Sequence, residues 1–188
     1  MAFTTLTSSA YATLDATKLT GNLPSISGAS LTGISGGKVL QTQSVTTNGR
    51  TTISSGSLTS INGLEDTITP ASTGSKILVM ATAQFGADSN NASVTFVGAK
   101  FKLYRNHSGI SETEIFSTNF QHNRPENSGM DMIFQNNLAI IYLDSPNTTN
   151  EVTYTIKGQN DPSTSGLEVI QGGSNEYDKI ITLMEIGA

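Results

Sequence analysis

The chain has 188 residues, enough for one ordinary core and an appendage but not for two large domains. Charged residues are 13% of it, about half the usual share, and the net charge is −5 with its 10 Lys and Arg scattered, so the basic footprint that nucleic acid requires is missing. There is no cysteine, which removes disulfides, zinc–thiolate sites and thiol catalysis, and no stretch approaches the roughly 20 apolar residues of a membrane span. Ser, Thr, Asn and Gly fill the space that charge leaves, and these residues favour turns and strands over helix.

The opening run Met1-Ala2-Phe3-Thr4-Thr5-Leu6 has neither a basic n-region nor a long apolar h-region. It does not read as a signal peptide, so the protein is expected to be made in a cytoplasm. From residue 14 to Gly37 only Asp15 and Lys18 are charged. Leu14, Leu19, Leu23, Ile26, Leu31 and Ile34 are spaced among Ser, Thr and Gly, and Leu-Thr-Gly occurs at Leu19-Thr20-Gly21 and again at Leu31-Thr32-Gly33, a period of 12. Leu19, Leu23 and Ile26 fall at helical spacing, but Gly21, Pro24 and Gly28 share the window. Proline costs a helix interior about 3 kcal/mol and each glycine about 1, so short extended pieces joined by Gly turns fit better. One copy of such a segment cannot bury its leucines; three copies around a common axis can.

From about Lys38 the pattern becomes strand, turn, strand. Ile77, Val79, Ala81, Ala83 and Phe85 mark one inward face; Val97, Ala99, Phe101 and Leu103 a second; Val152, Tyr154 and Ile156 a third. Further strands are expected near 39–46, 50–54, 64–69, 113–118, 131–143, 167–171 and 179–186. Turn clusters separate them, among them Thr47-Asn48-Gly49, Asp88-Ser89-Asn90-Asn91 and Asp144-Ser145-Pro146-Asn147. Short strands at this spacing predict an all-β antiparallel sandwich, a jelly roll, over 38–188. Leu138-Ala139-Ile140-Ile141-Tyr142-Leu143 and Ile180-Ile181-Thr182-Leu183-Met184 are apolar on both faces, and Leu78 and Met80 pose the same question in the strand around 76–86. A strand buried on both faces needs a second partner, and a sister chain is the simplest.

These residues resemble trimeric phage fibre proteins, of the tail or the head of the particle, with a C1q/TNF-like jelly-roll C-terminal domain. The stalk segment Leu14-Asp15-Ala16-Thr17-Lys18-Leu19-Thr20-Gly21-Asn22-Leu23-Pro24 is similar to Leu-Thr-Gly repeats of such fibres. The head is similar at Gly74-Ser75-Lys76-Ile77-Leu78-Val79, Phe101-Lys102-Leu103-Tyr104-Arg105-Asn106, Tyr142-Leu143-Asp144-Ser145-Pro146, Val152-Thr153-Tyr154 and Ile181-Thr182-Leu183-Met184-Glu185-Ile186. The resemblance implies a fold, a homotrimer and a place on the virion; it supplies no receptor.

No reactive constellation stands out. His107 and His122 lack a second His at metal spacing, Asp88-Ser89-Asn90-Asn91 lacks the Gly and terminal Glu of a calcium loop, and there is no nucleophile elbow or P-loop. Glu112 and Glu114 share a strand face and read as exposed strand carboxylates rather than a glycosidase pair. No enzymatic activity, cofactor or metal is expected. The expected organisation is a virion-docking segment at 1–13, with Phe3, Leu6 and Tyr11 as its apolar points, a trimeric stalk at 14–37 and the head at 38–188. Trimer contacts are expected at Leu19, Leu23, Ile26, Leu31, Ile34, Leu78, Met80, Ile141 and Leu183. Two loops rich in aromatic, His and Arg residues are candidates for touching a host glycan or protein: one with His122, Arg124 and Glu126, one with Tyr104 and His107. The expected function is host attachment by a structural virion fibre. The alternatives are a capsid fibre or decoration protein without a receptor, and a free carbohydrate-binding module. Neither nucleic acid nor a membrane is expected as a partner.

Overall fold

The computed structural model describes residues 38–53, 56–89, 96–123, 132–160, 166–169 and 178–187. The expected docking segment and stalk, with Phe3, Leu6, Tyr11, Leu19, Leu23, Ile26, Leu31 and Ile34, lie outside the described residues, as do Arg124 and Glu126. Ten strands are described: β1 (Val39–Thr47), β2 (Thr51–Ile53), β3 (Thr59–Ile68), β4 (Lys76–Ser89), β5 (Phe96–His107), β6 (Ile110–Asn123), β7 (Met132–Asp144), β8 (Val152–Asn160), β9 (Gly166–Val169) and β10 (Lys179–Ile186). Each overlaps a stretch where alternation or turn spacing predicts a strand.

Two antiparallel sheets form from them. Sheet A is built on β4, which pairs with β7 along one side from Ile77 to Ser89. On its other side β10 pairs with Lys76–Thr82 and β9 with Phe85–Asp88. β1 flanks β10, and β2 flanks β9. Sheet B has the order β3-β8-β5-β6. Successive strands repeatedly change sheet, so most pairings join residues far apart in the chain.

The core lies between the sheets. β4 contributes Ile77, Val79, Ala81, Ala83, Phe85 and Ala87; β5 contributes Ala99, Phe101 and Leu103; β8 contributes Val152, Tyr154 and Ile156, all buried. These are the inward phases read from period two. Along one long side Phe85 packs edge-on against Phe101 at 4.8 Å and near Phe120 and Phe134, while Phe116 meets Tyr142 at 5.8 Å, which closes β6 onto β7. Along the other side the closure is polar. Glu185 accepts from Gln41 Nε2 and from the Ala71 N–H, both at 2.7 Å, and Gln41 also donates to the Thr69 carbonyl at 2.6 Å. The connection from β3 to β4 is thereby tied to sheet A.

Strand ends differ from expectation where polarity hides them. β3 begins at Thr59, because a bulge between Ser60 and Glu65, with Gly63 at φ +80°, interrupts the alternation. β6 runs well beyond 113–118 in both directions; as an edge strand it exposes Ser117, Asn119 and Gln121 to solvent. Asp88 and Ser89, expected in a turn, extend β4.

Candidate functional site

The outward positions of sheet A line up in rows across four strands. Leu143 of β7 stands beside Leu78 of β4, then Met184 of β10, then Thr42 of β1. The next row is Ile141, Met80, Thr182 and Ser44, and the third is Ala139, Thr82, Ile180 and Thr46. Ile141 is 73% exposed, Leu143 47% and Ile180 37%, while Leu78, Met80 and Met184 are half-buried against them. The polar members are short hydroxyls, and Ser44 Oγ and Thr182 Oγ1 already meet at 3.0 Å. No charged side chain occupies any of the three rows. A pleated face of this kind loses free energy in water and gains it against another apolar surface.

The outward face of sheet B has the opposite character. Lys102 Nζ bonds Glu114 at 2.7 Å, and Lys157 Nζ bonds Glu112 at 2.6 Å while lying 4.8 Å from the centre of the Tyr104 ring. The hydrogen bond it donates to Glu114 holds the Lys102 ammonium above its ordinary value of 10.5. Thr155 donates to Glu65 at 2.7 Å. Glu112 and Glu114 are thus strand carboxylates paired with lysines. Such exposed pairs contribute little stability, but a face covered with them stays hydrated. The two outward faces thus differ: sheet B carries paired charges, and the three rows of sheet A carry none.

A buried ionic cluster joins the sheets at one end. Arg105 Nη1 meets both carboxylate oxygens of Asp144 at 2.8 and 2.9 Å, and Tyr154 donates its hydroxyl to the same carboxylate at 2.7 Å. Burial, with Asp144 beside it, pushes the Tyr154 phenol far above its ordinary value of 10.0, so it stays a donor. The Arg105 guanidinium also reaches the Ser145 carbonyl at 3.3 Å, fixing the turn in which Asn147 takes φ +54°. This cluster is a strut between β5, β7 and β8. Among the described residues no group of three His, Asp or Glu is arranged to hold a metal.

The structure brings Leu78, Met80 and Ile141 onto one face. Leu183 is not with them: it is 0% exposed in the core, on the inward phase of β10 with Lys179, Ile181 and Glu185. Its expected surface contact is corrected accordingly; Ile180, Met184 and Ile186 are the outward apolar residues of that strand. Tyr104 and His107 are not in a loop. They belong to β5, where Tyr104 lies under Lys157, and His107 ends the strand with Nδ1 3.2 Å from the Ser108 carbonyl. His122 is also in a strand, β6, and stacks on Phe134 with ring centres 5.5 Å apart. Tyr104–His107 and His122 fall toward opposite ends of the β5–β6 ladder. The Arg105–Asp144–Tyr154 cluster escaped sequence reading, although each member sits in phase with core residues of its strand.

No family model matches the chain, and no curated protein does. Among solved structures it is similar to that of infectious bursal disease virus, Gx strain, at 11% identity and a TM-score of 0.32, over 78% of this chain and 40% of that one. The Gt strain of the same virus gives 12% identity and a TM-score of 0.31, over 78% of this chain and 39% of that one. A mutant VP2 protein of that virus, in derived T=1 particles, gives 9% and 0.29 over the same shares. This chain therefore spans about 40% of the length of those chains. At such TM-scores the likeness bears on neither its ancestry nor its partners.

Proposed function

We propose that this chain is a non-enzymatic structural component of a virion, a homotrimer whose jelly-roll sandwich is carried on the stalk of residues 14–37 and anchored through residues 1–13. The observation that carries the reading is the asymmetry of the sandwich: sheet B presents paired charges to water, and sheet A presents Ile141, Leu143, Leu78, Met80, Met184 and Ile180 without a charge among them. Three copies meeting through sheet A bury that face and leave the charged faces outward. The similarity of the Leu-Thr-Gly segment and of the head motifs to phage fibres supports the virion setting, with host attachment as the role of the displayed head.

Light scattering on the full chain tests the assembly. A mass of three times 19.8 kDa is expected, falling to 19.8 kDa in Ile141→Asp, since an ionised carboxylate on this face cannot be buried without a counter-charge. A monomeric parent protein overturns the reading and leaves a free sandwich binding module in its place. Labelling purified particles with an antibody to the head then distinguishes a tail position from a capsid one.

A further inference from the structure

The apolar rows of sheet A do not continue to its far end. After Ala139 and Thr82, the next outward pair on β7 and β4 is Asn137 with Gln84, and the next is Gln135 with Gly86, which offers no side chain. Among the described residues, the other side of β4 pairs with β10 as far as Thr82 and with β9 from Phe85. A cleft of about 420 Å³ opens there, lined by Thr82, Gln84, Asn137, Ala139 and Asp178, and a second of about 220 Å³ adjoins it through Gln84 and Asn137 and adds Gln135 and Asn136. Asn136 Oδ1 accepts from the Asn137 N–H at 2.8 Å, while the Gln84 and Asn137 amide groups have no hydrogen-bond partner among the described residues. Lys38 lies at the opposite end, where its carbonyl accepts from Gly187 N–H at 2.9 Å beside the start of β4. Gln84 lies about 27 Å along β4 from Lys76, at strand rise per residue.

We infer that this cleft binds a neutral, hydroxyl-rich ligand, a glycan. Each planar amide offers a donor and an acceptor side by side, the pattern that pairs of sugar hydroxyls match. Ala139 and the Thr82 methyl give the C–H face of a ring an apolar floor. Among the described residues no cation lines the cleft, which disfavours phosphate or carboxylate ligands, and the outward face of a sheet offers a peptide no backbone ladder to join. The cleft borders the proposed subunit contact and shares Thr82 and Ala139 with its third row, while Gln84 and Asn137 lie beyond it; the inference does not depend on that contact.

The test is saturation-transfer NMR of glucose, galactose, mannose and N-acetylglucosamine, each at tens of millimolar, against the full chain, Gln84→Ala, Asn137→Ala and the isosteric Asn137→Asp. Saturation of at least one sugar by the parent protein is expected. Its affinity should weaken about tenfold in each variant, with the mass by light scattering unchanged. No transfer to any of the four sugars overturns the inference, and so does transfer that none of the variants alters. Loss of assembly in the variants assigns the amides to the subunit contact and overturns it too. A parent protein that is monomeric yet shows the expected sugar dependence sinks the trimer alone.

Discussion

Gly63 and Glu185 show how much of this fold is fixed by single positions. At Gly63 the backbone has φ +80°, and a Cβ would lie 2.5 Å from Cβ of Thr47 and 2.8 Å from its Cγ2, so β3 passes β1 more closely than any side chain permits. Gly63→Ala should cost about 2 kcal/mol or more, read as a lower urea midpoint with an unchanged slope. Thr47→Gly in the same chain should recover part of the loss by removing the clash while the positive φ remains. Glu185 is completely buried. Burial alone would raise its pKa, but the hydrogen bonds it accepts, those from Gln41 and the Ala71 N–H among them, outweigh that and hold it below its ordinary value of 4.5. A carboxyl with a depressed folded pKa stabilises the fold above its unfolded pKa, and that contribution is lost as pH falls through 4.5 toward the lower folded value. The urea midpoint should therefore drop below pH 4.5. Glu185→Gln should be less stable at neutral pH and show a shallower acid slope.

Among elements, the strut formed by Arg105, Asp144 and Tyr154 couples two strands of sheet B to the end of β7 in sheet A. The side chains of Arg105 and Asp144 are only 17% and 6% exposed, so removing one charge strands the other in a place water barely reaches. Asp144→Asn should cost about 3 kcal/mol or more, whereas Arg105→Met with Asp144→Asn should cost less than the sum of the two single changes, measured as a double-mutant cycle. The inward faces of β4, β5 and β8 are legible in the amino-acid pattern, because polar and apolar residues alternate cleanly there. β10 cannot be divided that way: in Ile180-Ile181-Thr182-Leu183-Met184 both phases are apolar, and only the tie from Glu185 to Gln41 and Ala71 shows which phase turns inward. β6 is hidden for the opposite reason. His122 follows the solvent-facing Asn119 and Gln121 on an edge strand, and polar residues at a sheet edge look like a loop. The partners of Arg105 are beyond the reach of sequence because period two gives a side chain's direction but not its neighbour across the core.

For the whole molecule, the contrast between the outward faces makes a distinction that mutations can check. Ile141 is 73% exposed, so Ile141→Asp should leave the fold of a single chain within about 0.5 kcal/mol of the parent while abolishing assembly. A substitution in the core, Leu183→Ala, should do the reverse at first and lower stability by about 2–5 kcal/mol through the cavity it leaves. The apolar rows of sheet A are themselves visible in the sequence: Leu78, Met80 and Ile141 stand out as apolar residues on the phase that should have met water.

The seating of β10 between β1 and β4 also sets a clock on synthesis. Ser44 and Thr182, which touch in the finished sheet, are separated by 138 positions in the chain. At roughly 5–20 residues per second, β1 leaves the ribosome on the order of ten seconds before the strand that will cover it. Through that interval β4 has one flank open and its apolar rows in water. The nascent chain is then at its stickiest, and polysomes that crowd several such chains together favour encounters between sisters before any one of them has closed.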